Sequence, residues 1–287
     1  MGARHGVVTL LTLLALQDAA QAAPDPEALI RGLVGAWNRT TDCTFTFHKV
    51  ERLKSGRFSD QLYVASVRRE PLSIYMKVLV PTPGREGIWR EGWNDGKVRV
   101  HLGTFPDLTV DVDPHAPIAM RNQHHAVDEM GFGVISETLG RMLDRARDLG
   151  HPAALRYLGS PELWGKVVDR VEVEAPPEVT GSWYRLQPGE DPFVLSRRFG
   201  LAPYAFLYAT PGLNVWSDVK PGVQVWVPPF YAGRAVVDID REHGLPIRLV
   251  IWDDQGRLFE HLEYTDLRVD VGLADSVFDP ANPEYAF

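Results

Sequence analysis

The chain has 287 residues, one cysteine and a formal net charge of −8, with 38 acidic residues against 30 basic ones. That balance, with Lys and Arg scattered rather than gathered in a stripe, argues against nucleic acid or an anionic lipid surface as the main partner. A 45% hydrophobic composition with eight tryptophans supplies a sizeable core, and there is no low-complexity tract or internal repeat.

At the N-terminus, Arg4 precedes a short apolar run from Gly6 to Leu16, followed by the small-x-small triplet Ala20-Gln21-Ala22. This order predicts a secretory signal peptide over residues 1–22, cleaved after Ala22, and a periplasmic location. The apolar run is too short to remain as an anchor, and no other run approaches membrane-spanning length. Cys43 lies too far beyond the cleavage site to be a lipidated first residue. It also lacks a disulfide partner, so its expected role is a buried small apolar side chain.

Asp25-Pro26 starts a helix whose stripe is Leu29, Ile30, Leu33, Val34 and Trp37. Alternating runs then predict strands at Thr44 to Arg52, Gln61 to Val67, Leu72 to Leu79, Gly87 to Gly92 and Val98 to Leu102. Trp93-Asn94-Asp95-Gly96 reads as a hairpin turn. A longer helix is expected over about Val127 to Asp148, with Val127, Met130, Val134, Ile135, Leu139, Met142, Leu143 and Ala146 on one face. Further strands follow at Leu155 to Leu158, Val167 to Val173, Ala235 to Asp240, Pro246 to Trp252 and Leu258 to Leu267. Consecutive antiparallel strands with one helix before them and one among them suggest a single curved sheet closed by helices.

Between Tyr184 and Pro228 the order is different. A short strand (Tyr184-Arg185-Leu186) leads through a Gly189-Glu190 turn to a helix starting at Asp191-Pro192. A second helix begins near Pro203, and a Lys220-Pro221-Gly222 turn feeds the closing strand Val225-Trp226-Val227. This segment resembles a LysM module, a βααβ domain that grips N-acetylglucosamine polymers such as peptidoglycan. Gly189-Glu190, Phe199-Gly200, Leu207, Thr210-Pro211, Pro221-Gly222, Gln224 and Val227-Pro228 fall at matching places. Glu190 replaces the family's usual Asp, and Thr210 its usual Asn. The resemblance implies a sugar groove formed by Gly189, Glu190, Asp191 and Pro192 on one side and Thr210, Pro211, Gly212 and Leu213 on the other. The same residue types are also those that ordinary turns use.

Outside that segment, Pro81-x-x-Gly84-Arg85-Glu86 and Gly92-x-Asn94-Asp95-Gly96-Lys97 resemble the bacterial family DUF1571. So do Asp238-Ile239-Asp240, Leu245-Pro246-Ile247-Arg248, Trp252-Asp253-Asp254-Gln255-Gly256 and the ending from Phe278-Asp279-Pro280 to Phe287. DUF1571 is in turn similar to the LolA/LolB/LppX superfamily, half-barrels whose concave face holds acyl chains beneath helical lids. The fold implied is α+β: a strongly curved antiparallel half-barrel with a helical lid, carrying a small βααβ LysM-like insertion. The corresponding division is a discontinuous half-barrel over 23–181 and 231–287, with the insertion over 182–230. A family strand matching Trp183 to Leu186 would run directly into Ala235 to Asp240, placing the insertion at a hairpin tip. The lipid-facing positions would be Phe45 and Phe47, then Ile74, Met76 and Val78, then Ile247, Leu249 and Ile251. Ordinary core packing accounts for the same alternation.

There is no HExxH, GxSxG, phosphate-binding glycine loop or CxxC, and Gly131-Phe132-Gly133 sits in a helical stripe rather than after a strand. His124, His125, Asp128 and Glu129 attract attention, but adjacent histidines on one helix point about 100° apart and cannot share an ion. No catalytic residue, metal ligand or cofactor is expected. The leading reading is a non-enzymatic periplasmic protein that binds a lipid or lipoprotein acyl chain and docks on peptidoglycan. The alternatives are a cell-wall interaction scaffold without a lipid ligand, and an uncharacterised cell-wall enzyme.

Overall fold

The computed structural model describes residues 23–287, so the expected signal peptide and its cleavage site lie outside the described residues. Helix α1 (Pro26–Arg39) starts where Asp25 accepts the Glu27 amide at 3.1 Å and Pro26 presets the backbone. Six strands follow as successive antiparallel hairpins: β1 (Asp42–Arg52), β2 (Phe58–Arg68), β3 (Ser73–Val80), β4 (Glu86–Arg90), β5 (Val98–His101) and β6 (Thr109–Val112). The Asn94-Asp95-Gly96 turn joins β4 to β5, with all three residues at positive φ. Next come α2 (Gly133–Asp148), β7 (Ala154–Tyr157), β8 (Glu162–Leu163) and β9 (Lys166–Glu174). A βααβ unit follows, made of β10 (Ser182–Arg185), α3 (Pro192–Phe199), α4 (Tyr204–Ala209) and β11 (Gln224–Val227). The chain finishes with β12 (Arg234–Asp240), β13 (Pro246–Trp252) and β14 (Leu258–Val269).

Twelve strands form one antiparallel sheet in the order β6-β5-β4-β3-β2-β1-β14-β13-β12-β9-β7, with β8 paired to β9. β6 and β7 are the two edges, so the 113–153 connection carrying α2 must cross the whole sheet. It does so on the face where α1 also lies, and α1 packs on α2. In β1 the inward positions Phe45, Phe47, Lys49 and Glu51 are buried and the residues between them are partly exposed, the period-two pattern of a strand with one covered face. Phe45 meets Phe132 and Tyr264 edge-on in that core. On the opposite face, Tyr75, Ile88 and Phe278 form a small second core under the C-terminal segment.

Two expectations are corrected. The helix anticipated from Val127 begins only at Gly133; Val127–Glu129 is a single 3-10 turn. Gly131, at φ +105°, breaks the path between them, and a Cβ at Gly133 would lie 2.8 Å from Trp37 Nε1. The segment Ser182–Arg185 does not run on into β12. It pairs with β11 in a separate two-stranded sheet, and the hairpin partner of β12 is β9. The βααβ unit therefore occupies the β9–β12 connection.

The unit packs onto the sheet rather than hanging from it. The Tyr204 ring stacks on His124 at 4.0 Å, and its hydroxyl accepts the Lys54 amide at 2.6 Å. Lys54 Nζ donates to the carbonyls of Tyr208 and Thr210, capping the end of α4. Phe193 stacks on His115 at 3.7 Å. The apolar core is continuous from the sheet into the unit.

Candidate functional site

A cleft of about 720 Å³ runs along the face of β2 to β6 beneath the 113–130 crossing. Its floor is apolar: Met76 and Val78 of β3, Val98 and Val100 of β5, Val110 and Val112 of β6. Ile118 from the crossing forms part of its wall and is 77% exposed. Arg57, Arg85 and Arg121 lie along its edge with Asp60 as the single acid. Tyr63, Met76, Gln123 and Val127 also line a smaller chamber of about 70 Å³, so the two spaces adjoin. The smaller chamber lies between β1–β3, β14 and the lid residues Val127, Met130, Val134 and Ile135.

One wall of that chamber is charged. Glu51 and Lys49 come from β1, and His125 and Glu129 from the crossing. Glu260 on β14 sits directly across from Glu51 and, like Glu51 and His124, is completely buried. Glu260 Oε1 lies 2.5 Å from His124 Nδ1 and accepts from the Tyr231 hydroxyl, and His125 Nε2 is 3.3 Å away. His124 Nε2 faces the Arg52 carbonyl at 2.9 Å. Lys49 Nζ is 3.3 Å from Glu51 and donates to Gln123 Oε1 at 3.1 Å. Burial alone would raise the Glu260 carboxyl, but the His125 charge and the bonds from both histidines hold it well below the usual carboxylate range. Burial opposes charge on His125, yet Glu260 and Glu129 raise its pKa to about 10. Burial and the nearby Glu260 charge push the Tyr231 hydroxyl well above its ordinary value.

His124 and His125 do not lie on a helix, so the separation of about 100° expected of them does not apply. The segment is irregular, and both rings reach Glu260. Asp128 turns away to His115 at 2.9 Å, whereas Glu129 stays with His125 at 3.3 Å. Two signals for this cluster stood in the sequence: Lys49 and Glu51 continue the inward series of Phe45 and Phe47, and Glu260 shares the inward side of β14 with Leu262 and Tyr264.

Of the eight positions expected to face a lipid, Phe47 lines the smaller chamber, Val78 the larger cleft, and Met76 both. Phe45, Ile74, Ile247, Leu249 and Ile251 are at most 2% exposed in the packed core. In the βααβ unit, Gly189, Asp191, Pro211 and Gly212 are exposed, Leu213 is half-buried, and Pro192 and Thr210 are buried. Asp191 caps α3 by accepting the Val194 amide at 2.7 Å. Thr210 Oγ1 donates to the Phe206 carbonyl and accepts the Trp226 amide, tying α4 to β11. The Glu190 carboxylate takes the Gln187 amide, the Tyr184 hydroxyl and Arg198, which lowers its pKa, with the Gln187 amide the chief cause.

A family model described as "Protein of unknown function (DUF1571)" matches residues 40–187 and 227–287, leaving only 188–226 unmatched within that span. The chain belongs to the DUF1571 family. No curated protein matches it. Among solved structures it is similar to the MucA/MucB complex of Pseudomonas aeruginosa, with a TM-score of 0.43 and 14% identity over 89% of this chain and 61% of that one. It is also similar to the lipoprotein LppX of Mycobacterium tuberculosis, with a TM-score of 0.41 and 12% identity over 86% and 96% of the two chains. A DUF1329 family protein from Desulfovibrio piger gives 0.36 and 12% over 89% and 98%.

The DUF1571 motifs are mostly structural. Asp238 is completely buried and held by Arg170 at 2.6 Å and Arg248 at 2.8 Å, which ties β12 to both neighbours. In the C-terminal motif Tyr285 stacks on Tyr75 at 4.1 Å, and the Ala286 amide donates to Glu86, itself paired with Lys77. Among the described residues no helix is long and apolar enough to cross a membrane.

Proposed function

We propose that this chain is a non-enzymatic envelope protein that binds an acyl chain, of a lipid or a lipoprotein, in the cleft beneath the 113–130 crossing. The observation that carries this is the cleft itself: about 720 Å³, apolar along its floor, and adjoining a second, much smaller chamber. Sites of this kind are concave and mostly apolar, with a few polar groups that fix orientation. Arg57, Arg85 and Arg121 at its edge suit a ligand with an anionic head. The half-barrel resemblance points the same way, and the leader expected over residues 1–22 would deliver the protein to the periplasm.

The βααβ unit carries the second part of the reading, docking on peptidoglycan in the manner of a LysM module. Its support is the pairing of β10 with β11 around two helices, and the exposure of Gly189, Asp191, Pro211 and Gly212 in its two loops. A scaffold that uses only this unit, with an unoccupied cleft, is the alternative. Native mass spectrometry of protein purified from a bacterial periplasm separates the two. The lipid reading expects a retained adduct of lipid mass, released by a lipid extraction; a bare polypeptide mass from gentle, detergent-free preparation contradicts it.

A further inference from the structure

We propose that Glu51, His124 and Glu260 form a binding site for a divalent transition-metal ion of the zinc class. One donor atom from each residue lies within 4.8 Å of the other two, and all three side chains are completely buried. Three oxygens of the cluster, both of Glu51 and Oε2 of Glu260, make no hydrogen bond. Leaving buried carboxylate oxygens unbonded is costly, and Lys49, 3.3 Å from Glu51, offers that carboxylate a charge but no well-formed hydrogen bond.

The geometry around His124 points the same way. Its Nε2 faces the Arg52 carbonyl at 2.9 Å and its Nδ1 faces a Glu260 oxygen at 2.5 Å, and both of those partners are acceptors. A neutral imidazole has one N–H and can satisfy only one of them. The other ring nitrogen would then point a lone pair at an oxygen lone pair, a clash that a cation held by the two side chains would relieve. Assigning the N–H to Nε2, where it donates to the Arg52 carbonyl, leaves Nδ1 free as a metal ligand. A carbonyl holding the second ring nitrogen is the arrangement that orients metal-binding histidines generally. An imidazolium ion is the competing answer to the same count.

The surroundings fit an ion as well. Tyr231 and His125 already hold Glu260 Oε1, leaving Oε2 for the ion. Tyr204 stacked on one side of His124, and Phe259 at 4.6 Å, keep water from the ring. One imidazole nitrogen with two carboxylates favours zinc or its first-row neighbours over calcium, which takes six to eight oxygens. Glu51 lines the smaller chamber, so the ion would sit in the chamber wall.

The test uses the full exported chain, stripped with a chelator and then titrated with zinc or cobalt alone. The expected result is one equivalent of metal per chain, a rise in Tm with zinc, and visible d–d absorption with cobalt. Glu51→Gln and His124→Gln should each weaken binding at least ~10-fold, in line with losses at metal ligand shells. Should either variant fail to fold, paramagnetic shifts of the His124 ring protons in cobalt-loaded native protein give the same answer. Native protein that takes up no stoichiometric metal, with both His124 ring nitrogens protonated by nitrogen NMR, would overturn the site and leave an imidazolium in its place.

Discussion

Glu51 and Glu260 stand directly opposite each other across the β1–β14 ladder, and neither exposes any surface. Directly opposed residues share one face of a sheet, and like charges there destabilise it. The two carboxylates are compensated unequally. Glu260 holds both histidines and Tyr231, whereas Glu51 has only the Lys49 contact. In metal-free protein, Glu260→Gln should therefore cost about 3–5 kcal/mol by stranding its partners, while Glu51→Gln should be neutral or stabilising. Urea unfolding of the two variants in chelator measures both, and equal losses would contradict the asymmetry.

The same cluster makes stability depend on alkaline pH. Folding raises the His125 pKa from 6.5 to about 10, so its contribution is complete below pH 6.5 and is lost as the pH climbs towards 10. The Glu260 carboxyl is lowered, so its contribution is complete above 4.5 and is lost only as the pH falls through the lowered value. Native protein should lose stability on the order of a few kcal/mol between pH 6.5 and 10. His125→Asn should flatten that slope. Chemical unfolding at a series of pH values is the measurement, and a wild-type curve already flat across this window would contradict the assignment.

Tyr204 should couple the βααβ unit to the sheet. It is 3% exposed, stacks on His124 and accepts the Lys54 amide. Truncation to Ala should cost about 3–5 kcal/mol, as for other large buried rings. Unfolding should stay a single transition in the native protein, with the unit and sheet melting together. Two separate calorimetric transitions would show instead that the unit is an independent domain, as its sequence resemblance alone suggests.

The strand ladder was legible because Phe45, Phe47 and their counterparts in β3, β13 and β14 alternate cleanly, and the Asn94-Asp95-Gly96 turn fixes one hairpin. β6 was missed because it is four residues long and largely exposed, too short for its Thr109-Val110-Asp111-Val112 alternation to register. The start of α2 was misplaced because Val127 and Met130 fall at helical spacing although Gly131 interrupts the path. The charged cluster was illegible for a different reason. Its members lie on β1, the crossing and β14, with His124 and Glu260 136 residues apart in sequence. Only the fold brings them together, though charged residues at inward strand positions were a readable hint.

Sugar binding by the βααβ unit makes a narrow prediction. Short N-acetylglucosamine oligomers should shift amide resonances of Gly189, Asp191 and Gly212, with affinity in roughly the micromolar-to-millimolar range expected of a shallow groove. Pro211→Glu, at an exposed position, should weaken cosedimentation with peptidoglycan and leave Tm unchanged. Unchanged spectra throughout both loops would leave the unit a structural element, with Thr210 and Glu190 serving the internal bonds already described.

The acyl-chain reading is tested most directly by titrating a fluorescent fatty acid into native protein and into Val100→Trp, whose new side chain would project into the cleft from β5. Native protein should show saturable binding, and the variant should bind at least ~10-fold more weakly at an unchanged Tm, a difference of about 1.4 kcal/mol. No saturable signal from native protein, or equal binding by both, would contradict the claim that this cleft holds an acyl chain.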